Sequence, residues 1–261
     1  MPFILTLLKT PLKTESQMRM RYLLHFSLLS VLCLSTLCIS TGAVAYQVQP
    51  MIVELSSQGK NSLVTYRLSN PGTAALPVEV EVFKRTFDQD QKEVLVPAED
   101  AFIVLPPQIE VAANGYQMFR AKYLGSPGLQ QTDSYRIVFK QLPLGNEEEK
   151  SGVKMMFNFA TLVFVSPKGV ASEHKSVIKC ELTSDCKLTI SNQGKRVLDL
   201  SQFEYRFNDN ATVVNWTLFQ TITNGRFIMP GHQVVLDLTT LLEGKTSKTA
   251  EMVRLFTASE D

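Results

Sequence analysis

The sequence predicts an all-β protein built from two β-sandwich domains, and three observations lead to this fold class. Short segments of alternating apolar and polar residues recur along the chain, as in strands that bury one face. Pro, Gly and Asn separate these segments, whereas signals for helix starts and ends are scarce. The 216 residues that follow a targeting segment suffice for one large or two ordinary domains.

The first 45 residues, 1–45, are interpreted as a signal peptide. A basic start at Met20-Arg21 precedes an apolar run over residues 22–39, and Ala43-Val44-Ala45 has the small-x-small pattern of a cleavage site. We therefore expect export, with cleavage near Ala45. A membrane anchor is the alternative, since about 18 apolar residues can span a bilayer. The long leader leaves three candidate translation starts, which are Met1, Met18 and Met20.

The first domain is predicted over residues 46–167. Two turns are marked by residues that set the backbone angles, at Ser69-Asn70-Pro71-Gly72 and at Ala113-Asn114-Gly115. Seven strands in about 120 residues fit one immunoglobulin-like sandwich. The predicted strands cover residues 48–55, 62–68, 76–84, 108–111, 116–123, 135–142 and 153–165.

A second β-sandwich domain is predicted over residues 168–261, because Pro167-Lys168-Gly169 breaks the last strand of the first domain. Asn224-Gly225 and Pro230-Gly231 mark two of its turns. A short hinge between two sandwiches predicts an L-shaped molecule with a cleft, a place where ligands often bind. The predicted strands cover residues 176–181, 186–191, 203–207, 213–220, 226–229, 233–238 and 252–257.

The charge balance argues against nucleic acid as a partner. The first 45 residues carry four basic residues and one acidic residue, so 22 basic and 24 acidic residues remain in the exported chain, a net charge of −2. Domains that bind nucleic acid usually carry a clear basic surplus.

Two cysteines remain after export, Cys180 and Cys186. An exported chain with one such pair suggests a disulfide, and this spacing can be closed across a hairpin. Two free thiols are the alternative.

The exported chain lacks the groupings that would indicate catalysis or metal binding. Its two histidines, His174 and His232, are far apart in sequence, and no hydrolase elbow, phosphate loop or zinc motif occurs. We therefore expect neither an enzyme nor a bound metal or cofactor.

The segment 153–165 is the most informative stretch of the sequence. Val153, Met155, Phe157 and Phe159 alternate along one face, directly after a polar loop over residues 145–152. Such a strand can lend apolar side chains to another protein. Ordinary core packing within the first domain is the alternative for the same row.

A set of ordered motifs across residues 46–167 resembles the periplasmic pilus chaperones, the PapD-like family. These chaperones have two immunoglobulin-like domains in a boomerang arrangement. The last strand of their first domain, named G1, completes the fold of a pilus subunit that lacks one strand, a form of β-augmentation. The motifs are residues 68–73 (Leu-Ser-Asn-Pro-Gly-Thr), 104–109 (Val-Leu-Pro-Pro-Gln-Ile), 113–120 (Ala-Asn-Gly-Tyr-Gln-Met-Phe-Arg), 134–143 (Ser-Tyr-Arg-Ile-Val-Phe-Lys-Gln-Leu-Pro) and 164–167 (Phe-Val-Ser-Pro).

The resemblance implies two binding sites, one that donates a strand to the subunit and one that holds its C-terminal carboxylate. Its donor residues correspond to Val153, Met155 and Phe157, and Phe159 continues the row. Well-studied members also hold the C-terminal carboxylate of the subunit with an Arg near the first strand and a Lys in G1. This chain has no Arg in residues 51–55, and the late G1 position falls near Leu162.

For the carboxylate anchor, the chain is more similar to the chaperones of archaic-type pili, in which a Ser-Tyr-Arg segment supplies the cation. The resemblance therefore implies an anchor at Tyr135 and Arg136, with Lys140 as a second candidate. Arginine suits this role because it pairs with a carboxylate through two parallel hydrogen bonds. A solvated surface arginine is the alternative for Arg136.

The resemblance implies a periplasmic chaperone that stabilises pilus subunits and delivers them to an outer-membrane usher. Self-association through the exposed donor strand is a further expectation, since unpaired strand edges tend to pair. A secreted pilin-like or coat subunit is the alternative function. Such a subunit would need an N-terminal donor extension, whereas here a strand begins almost directly after Ala45.

Overall fold

The alternating pattern of the sequence is realised as a nearly all-β structure. The computed structural model describes residues 45–143, 155–181, 185–208, 212–223, 225–242 and 250–254. The strands are β1 (Gln47–Gln49), β2 (Ile52–Ser56), β3 (Leu63–Asn70), β4 (Leu76–Phe87), β5 (Glu93–Pro97), β6 (Phe102–Leu105), β7 (Gln108–Val111), β8 (Gly115–Tyr123), β9 (Asp133–Gln141), β10 (Asn158–Ser166), β11 (His174–Glu181), β12 (Asp185–Asn192), β13 (Leu198–Asp199), β14 (Phe203–Phe207), β15 (Thr212–Val214), β16 (Phe227–Ile228), β17 (Gln233–Asp237) and β18 (Ala250–Arg254). The helices are α1 (Trp216–Phe219) and the 3-10 helices Lys60–Ser62, Glu99–Ala101 and Leu200–Gln202.

Two sheets enclose the first hydrophobic core. One has the strand order β1-β3-β8-β6, and the other has the order β2-β10-β9-β4-β5, with β7 also paired to β4. The inward positions of β3, β8 and β9 are filled by large side chains, so that the ring of Phe139 lies 5.4 Å from Tyr66 and 5.1 Å from Phe119. Edge-to-face contacts of this kind add to the free energy gained by burial.

The first strand of the sequence prediction, residues 48–55, is two strands in the structure. β1 pairs antiparallel with β3, whereas β2 pairs parallel with β10 in the other sheet. The change of sheet occurs at Pro50 and Met51, and the peptide bond before Pro50 is cis. A continuous apolar pattern does not say which sheet each half joins, so the prediction of one strand was wrong here.

The second hydrophobic core lies between three smaller sheets. Their strand orders are β11-β12-β17, β13-β16 and β15-β14-β18. The ring of Tyr205 stacks on Phe219 in this core, with ring centroids 3.5 Å apart. Together with the first core, this arrangement confirms the predicted all-β fold of two sandwiches.

One predicted strand of the second sandwich is partly a helix. We expected a strand over residues 213–220, but after β15 the chain forms α1. The side chain of Asn215 accepts a hydrogen bond from the backbone N–H of Leu218 at 3.1 Å, which is the N-cap interaction. The helix also places Phe219 in the core, where it is fully buried.

Three of the described strands, β5, β6 and the two-residue β13, were absent from the sequence prediction. β5 is exposed along its whole length, so it lacks the alternation of a half-buried strand. β6 alternates between buried and exposed positions, but its four residues are all apolar and hide that period.

Candidate functional site

The predicted apolar row becomes exposed toward the start of β10. Met155 and Phe157 precede the strand, and these residues are 70% and 41% exposed. Phe159 is half-buried and packs against the first core. Val153 lies outside the described residues. The row therefore runs from a packed position at Phe159 to open positions at Phe157 and Met155.

The first half of β10 has one neighbouring strand in the described part of the chain. β9 pairs with β10 from Asn158 to Val165, whereas the parallel strand β2 pairs only with residues Leu162 to Ser166. The edge of β10 opposite β9 thus lacks a strand partner at Asn158–Thr161 among the residues that the structure describes. Unpaired backbone N–H and C=O groups of this kind accept an added strand.

The outer face of β10 changes from exposed to buried at the position where the pairing with β2 begins. Asn158 and Ala160 are exposed, whereas Leu162 and Phe164 are buried. Leu162 and Phe164 cluster with Val197 and with side chains of β16 and the residue after it, and the ring of Phe164 lies 4.8 Å from that of Phe227. The second sandwich therefore covers the C-terminal half of β10 and leaves its N-terminal half open.

Arg136 lies on β9 beside Leu162, on the outer face of the sheet. Its guanidinium donates two hydrogen bonds to Glu93 on β5, 3.0 Å from Nε and 2.8 Å from Nη2. Arg85 donates to the same carboxylate. The hydrogen bond from Arg136, followed by that from Arg85, lowers the pKa of Glu93 to about 2.

The other two anchor candidates lie on opposite faces of β9. Lys140 shares the outer face with Arg136, and its Nζ lies 2.9 Å from a carboxylate oxygen of Glu81. That hydrogen bond raises the pKa of Lys140. Tyr135 instead faces the core, with its ring 5.2 Å from Phe102, and burial raises the pKa of its hydroxyl. The structure brings Arg136 and Lys140 to one face and does not bring Tyr135 to it.

The sequence of the first sandwich also matches a known family. Residues 47–171 match the N-terminal domain of PapD, described as a pili and flagellar-assembly chaperone. The first sandwich is therefore a domain of this pilus-chaperone family. No protein with a curated description matches the sequence.

Solved pilus chaperones share the fold at low sequence identity. The class 5 fimbriae chaperone CfaA has a TM-score of 0.56 at 11% identity, over 83% of this chain and 95% of that chain. A Salmonella enterica complex of SafA pilin with the SafB chaperone gives 0.53 at 15%, over 83% and 99%. The YadV chaperone gives 0.52 at 16%, over 80% and 91%. At these identities the similarity shows the fold alone.

Two polar features at the site were missed by the sequence analysis. Arg196 donates hydrogen bonds to Glu54 of β2 from Nε at 2.7 Å and from Nη2 at 3.0 Å. Glu93 pairs with Arg136 although the two are 43 residues apart. Neither pair has a local sequence signal, because the partners meet only when distant strands come together.

The predicted disulfide is confirmed, and it joins Cys180 of β11 to Cys186 of β12. The two residues are direct cross-strand partners in the hairpin. Within the described ranges, no group of three or more His, Cys, Asp or Glu side chains could hold a metal ion. No helix in the part of the chain that the structure describes is long and apolar enough to cross a membrane.

Proposed function

We propose that this pilus chaperone captures a pilus subunit by donor-strand complementation, with the segment from Val153 to Phe159 as the donor. The observation that carries the proposal is the open start of β10. Among the described residues, the edge of β10 without a strand partner at Asn158–Thr161 directly follows the exposed side chains of Met155 and Phe157. A subunit that lacks one strand would gain a ladder of hydrogen bonds and two or three apolar side chains from this segment.

The energetics favour a tight complex that needs no nucleotide or other cofactor. Each large apolar side chain buried in a groove of the subunit contributes about 1.5 to 3 kcal/mol. Each backbone hydrogen bond of the new ladder adds about 1 kcal/mol net. Phe159 already packs in the first core, so the row would continue that core into the subunit.

Arg136 is the proposed anchor for the C-terminal carboxylate of the subunit, and Lys140 is the second candidate. Both lie on the outer face of β9, next to the proposed donor strand. Each is already paired with an acidic side chain, Arg136 with Glu93 and Lys140 with Glu81. An incoming carboxylate would therefore have to replace or share a pairing that exists in the free chaperone. Tyr135 would support the anchor by packing β9 against the first core, since its ring faces away from Arg136.

The same proposal implies where the protein acts and which proteins it contacts. The protein would be exported to the periplasm, lose its signal peptide near Ala45, and use residues 46–167 and 168–261 as its two domains. It would hand its subunit to an outer-membrane usher, as an archaic-type chaperone without enzymatic activity. In the absence of a subunit, the exposed donor edge favours self-association. A secreted structural subunit, the alternative, is less consistent with a family of chaperones.

The experiment that tests the donor strand is co-purification with a candidate pilus subunit from which the N-terminal extension has been deleted. Phe157→Asp is expected to abolish capture, because a carboxylate would be buried without a partner in the groove of the subunit. The chaperone itself should stay folded, since Phe157 is 41% exposed. Met155→Asp should act in the same direction.

Met118→Asp provides the matched control. Met118 is 42% exposed on β8, in the sheet that does not contain β10. This variant should capture the subunit as the wild type does. Normal capture by the folded Phe157→Asp variant would show that the donor assignment is wrong.

A further inference from the structure

Tyr46 connects the two strands that meet at the proposed donor segment. Its hydroxyl oxygen lies 2.9 Å from the carbonyl oxygen of Phe139 on β9 and 2.7 Å from the carbonyl oxygen of Phe157, just before β10. Its ring centroid lies 4.6 Å from that of Phe159. Only 4% of Tyr46 is exposed, so these contacts are shielded from water.

These contacts occur where the ladder between β9 and β10 ends. The ladder begins with the pair Asn158 and Lys140. One step further out, the hydrogen bond from the Gln141 N–H to the Phe157 carbonyl is long, at 3.4 Å. The Phe157 N–H donates a hydrogen bond to the side-chain Oε1 of Gln141 at 3.2 Å. The Tyr46 hydroxyl therefore supports the backbone at the weak end of the ladder.

The chemistry of the phenol suits this role. Burial raises the pKa of Tyr46 to about 12, so the hydroxyl keeps its proton at neutral pH and acts as a donor. A hydroxyl has one proton, which the two carbonyl oxygens of Phe139 and Phe157 share. The ring contact with Phe159 would survive removal of the oxygen. The hydrogen bonds and the packing of Tyr46 can thus be separated by experiment.

We propose that Tyr46 is a positioning residue for subunit capture, which fixes the backbone at Phe157 and so sets the direction in which the donor side chains leave the domain. This inference rests on the proposed donor-strand function. The physical reason is preorganisation: a segment that is already ordered pays less conformational entropy when it pairs with a subunit. Conversely, a segment that holds the competent geometry for only part of the time binds more weakly by that fraction.

The test is Tyr46→Phe, measured by association and dissociation kinetics with the extension-deleted subunit described above. We expect the association rate constant to fall about three- to tenfold, with the dissociation rate constant within about twofold, since the competent fraction limits binding. Amide hydrogen exchange at Phe157 and Phe159 should become faster in the free variant. Tyr116→Phe is the matched control, because the side chain of Tyr116 is 59% exposed on another sheet.

The outcomes distinguish this inference from the proposed function. Unchanged association and unchanged amide exchange in Tyr46→Phe, while Phe157→Asp still abolishes capture, would overturn the role of Tyr46 alone. A drop in thermal stability with an unaltered association rate for the folded fraction would also overturn it, since Tyr46 would then be merely structural. If Phe157→Asp captures subunits normally, the proposed function itself fails.

Discussion

Arg136 on β9 reaches across β4 to Glu93 on β5, and two hydrogen bonds join the guanidinium to the carboxylate. The proposed anchor is therefore occupied by an internal carboxylate in the free protein. An internal partner of this kind keeps a cation fixed in place and also competes with an external carboxylate.

Replacing the internal carboxylate should strengthen subunit capture if Arg136 is the anchor. Glu93→Gln removes the competing charge and leaves a side chain of similar shape, so the subunit should bind several-fold more tightly. Arg136→Ala should weaken capture. Dissociation constants for the extension-deleted subunit, measured at low and high salt, check both expectations, since a charge pair at the surface weakens with ionic strength.

Glu81→Gln is the informative comparison for that experiment. It removes the partner of Lys140 and leaves Arg136 paired with Glu93. If only Glu81→Gln tightens binding, Lys140 and not Arg136 holds the carboxylate. If neither variant changes the affinity, the anchor lies elsewhere.

The same ion pair predicts how stability depends on pH. The pKa of Glu93 is lowered from 4.5 to about 2, chiefly by the hydrogen bond from Arg136. The unfolded chain therefore binds more protons between these values, and the contribution of Glu93 to stability is complete above pH 4.5 and is lost as the pH falls toward 2. Urea unfolding of the wild type and of Glu93→Gln should show a difference in free energy that shrinks over this interval.

A control for the pH series is Asp90→Asn. Asp90 lies 3.8 Å from Lys92, and both side chains are about three-quarters exposed, at 77% and 76%. Surface pairs of this kind contribute little. The difference between the wild type and Asp90→Asn should stay near zero at every pH. A pH-independent difference for Glu93→Gln would contradict the prediction.

The sequence was sufficient where a local pattern determines the structure. The alternation in β3, β8 and β9 matches one buried and one exposed face, and the cysteine spacing matched a hairpin pair. The proposed donor row, which remains a prediction, rests on a signal of the same kind, because its apolar residues alternate beside a polar loop. In each case the signal lies within a few residues.

The rest depended on contacts between distant parts of the chain. The sequence shows that Arg136 is a cation on one face of a strand. Its partner Glu93 lies on β5, which is exposed on both faces and therefore has no apolar alternation that would predict a strand. Tyr46 could be assigned to the start of a strand but not to the carbonyl group of Phe157, 111 residues away. Long-range pairing of this kind follows from the sheet order, which alternation does not encode.

Loss of the disulfide should reduce the stability of the second sandwich by a modest amount. Cys180 and Cys186 are separated by six positions, and closing so short a loop contributes about 2 kcal/mol in the chain-entropy description. The double variant Cys180→Ala/Cys186→Ala should show this decrease in urea unfolding, and a reducing agent should lower the wild type by a similar amount without affecting the variant. A decrease in the variant under reducing conditions would point to an effect other than the disulfide.

Thr132, a buried residue between the two sandwiches, should contribute more to the free energy of unfolding than its small side chain suggests. Its hydroxyl lies 2.8 Å from that of Ser166 and accepts a hydrogen bond from the Val197 N–H at 3.1 Å. Thr132→Val keeps the shape but leaves a buried N–H without this acceptor, which costs about 1 to 3 kcal/mol. Thr65→Val, at a half-buried position on the outer side of β3, should change the free energy of unfolding by about 0.5 kcal/mol at most. Equal effects of the two substitutions in urea unfolding would show that the hydroxyl of Thr132 does not stabilise the contact between the sandwiches.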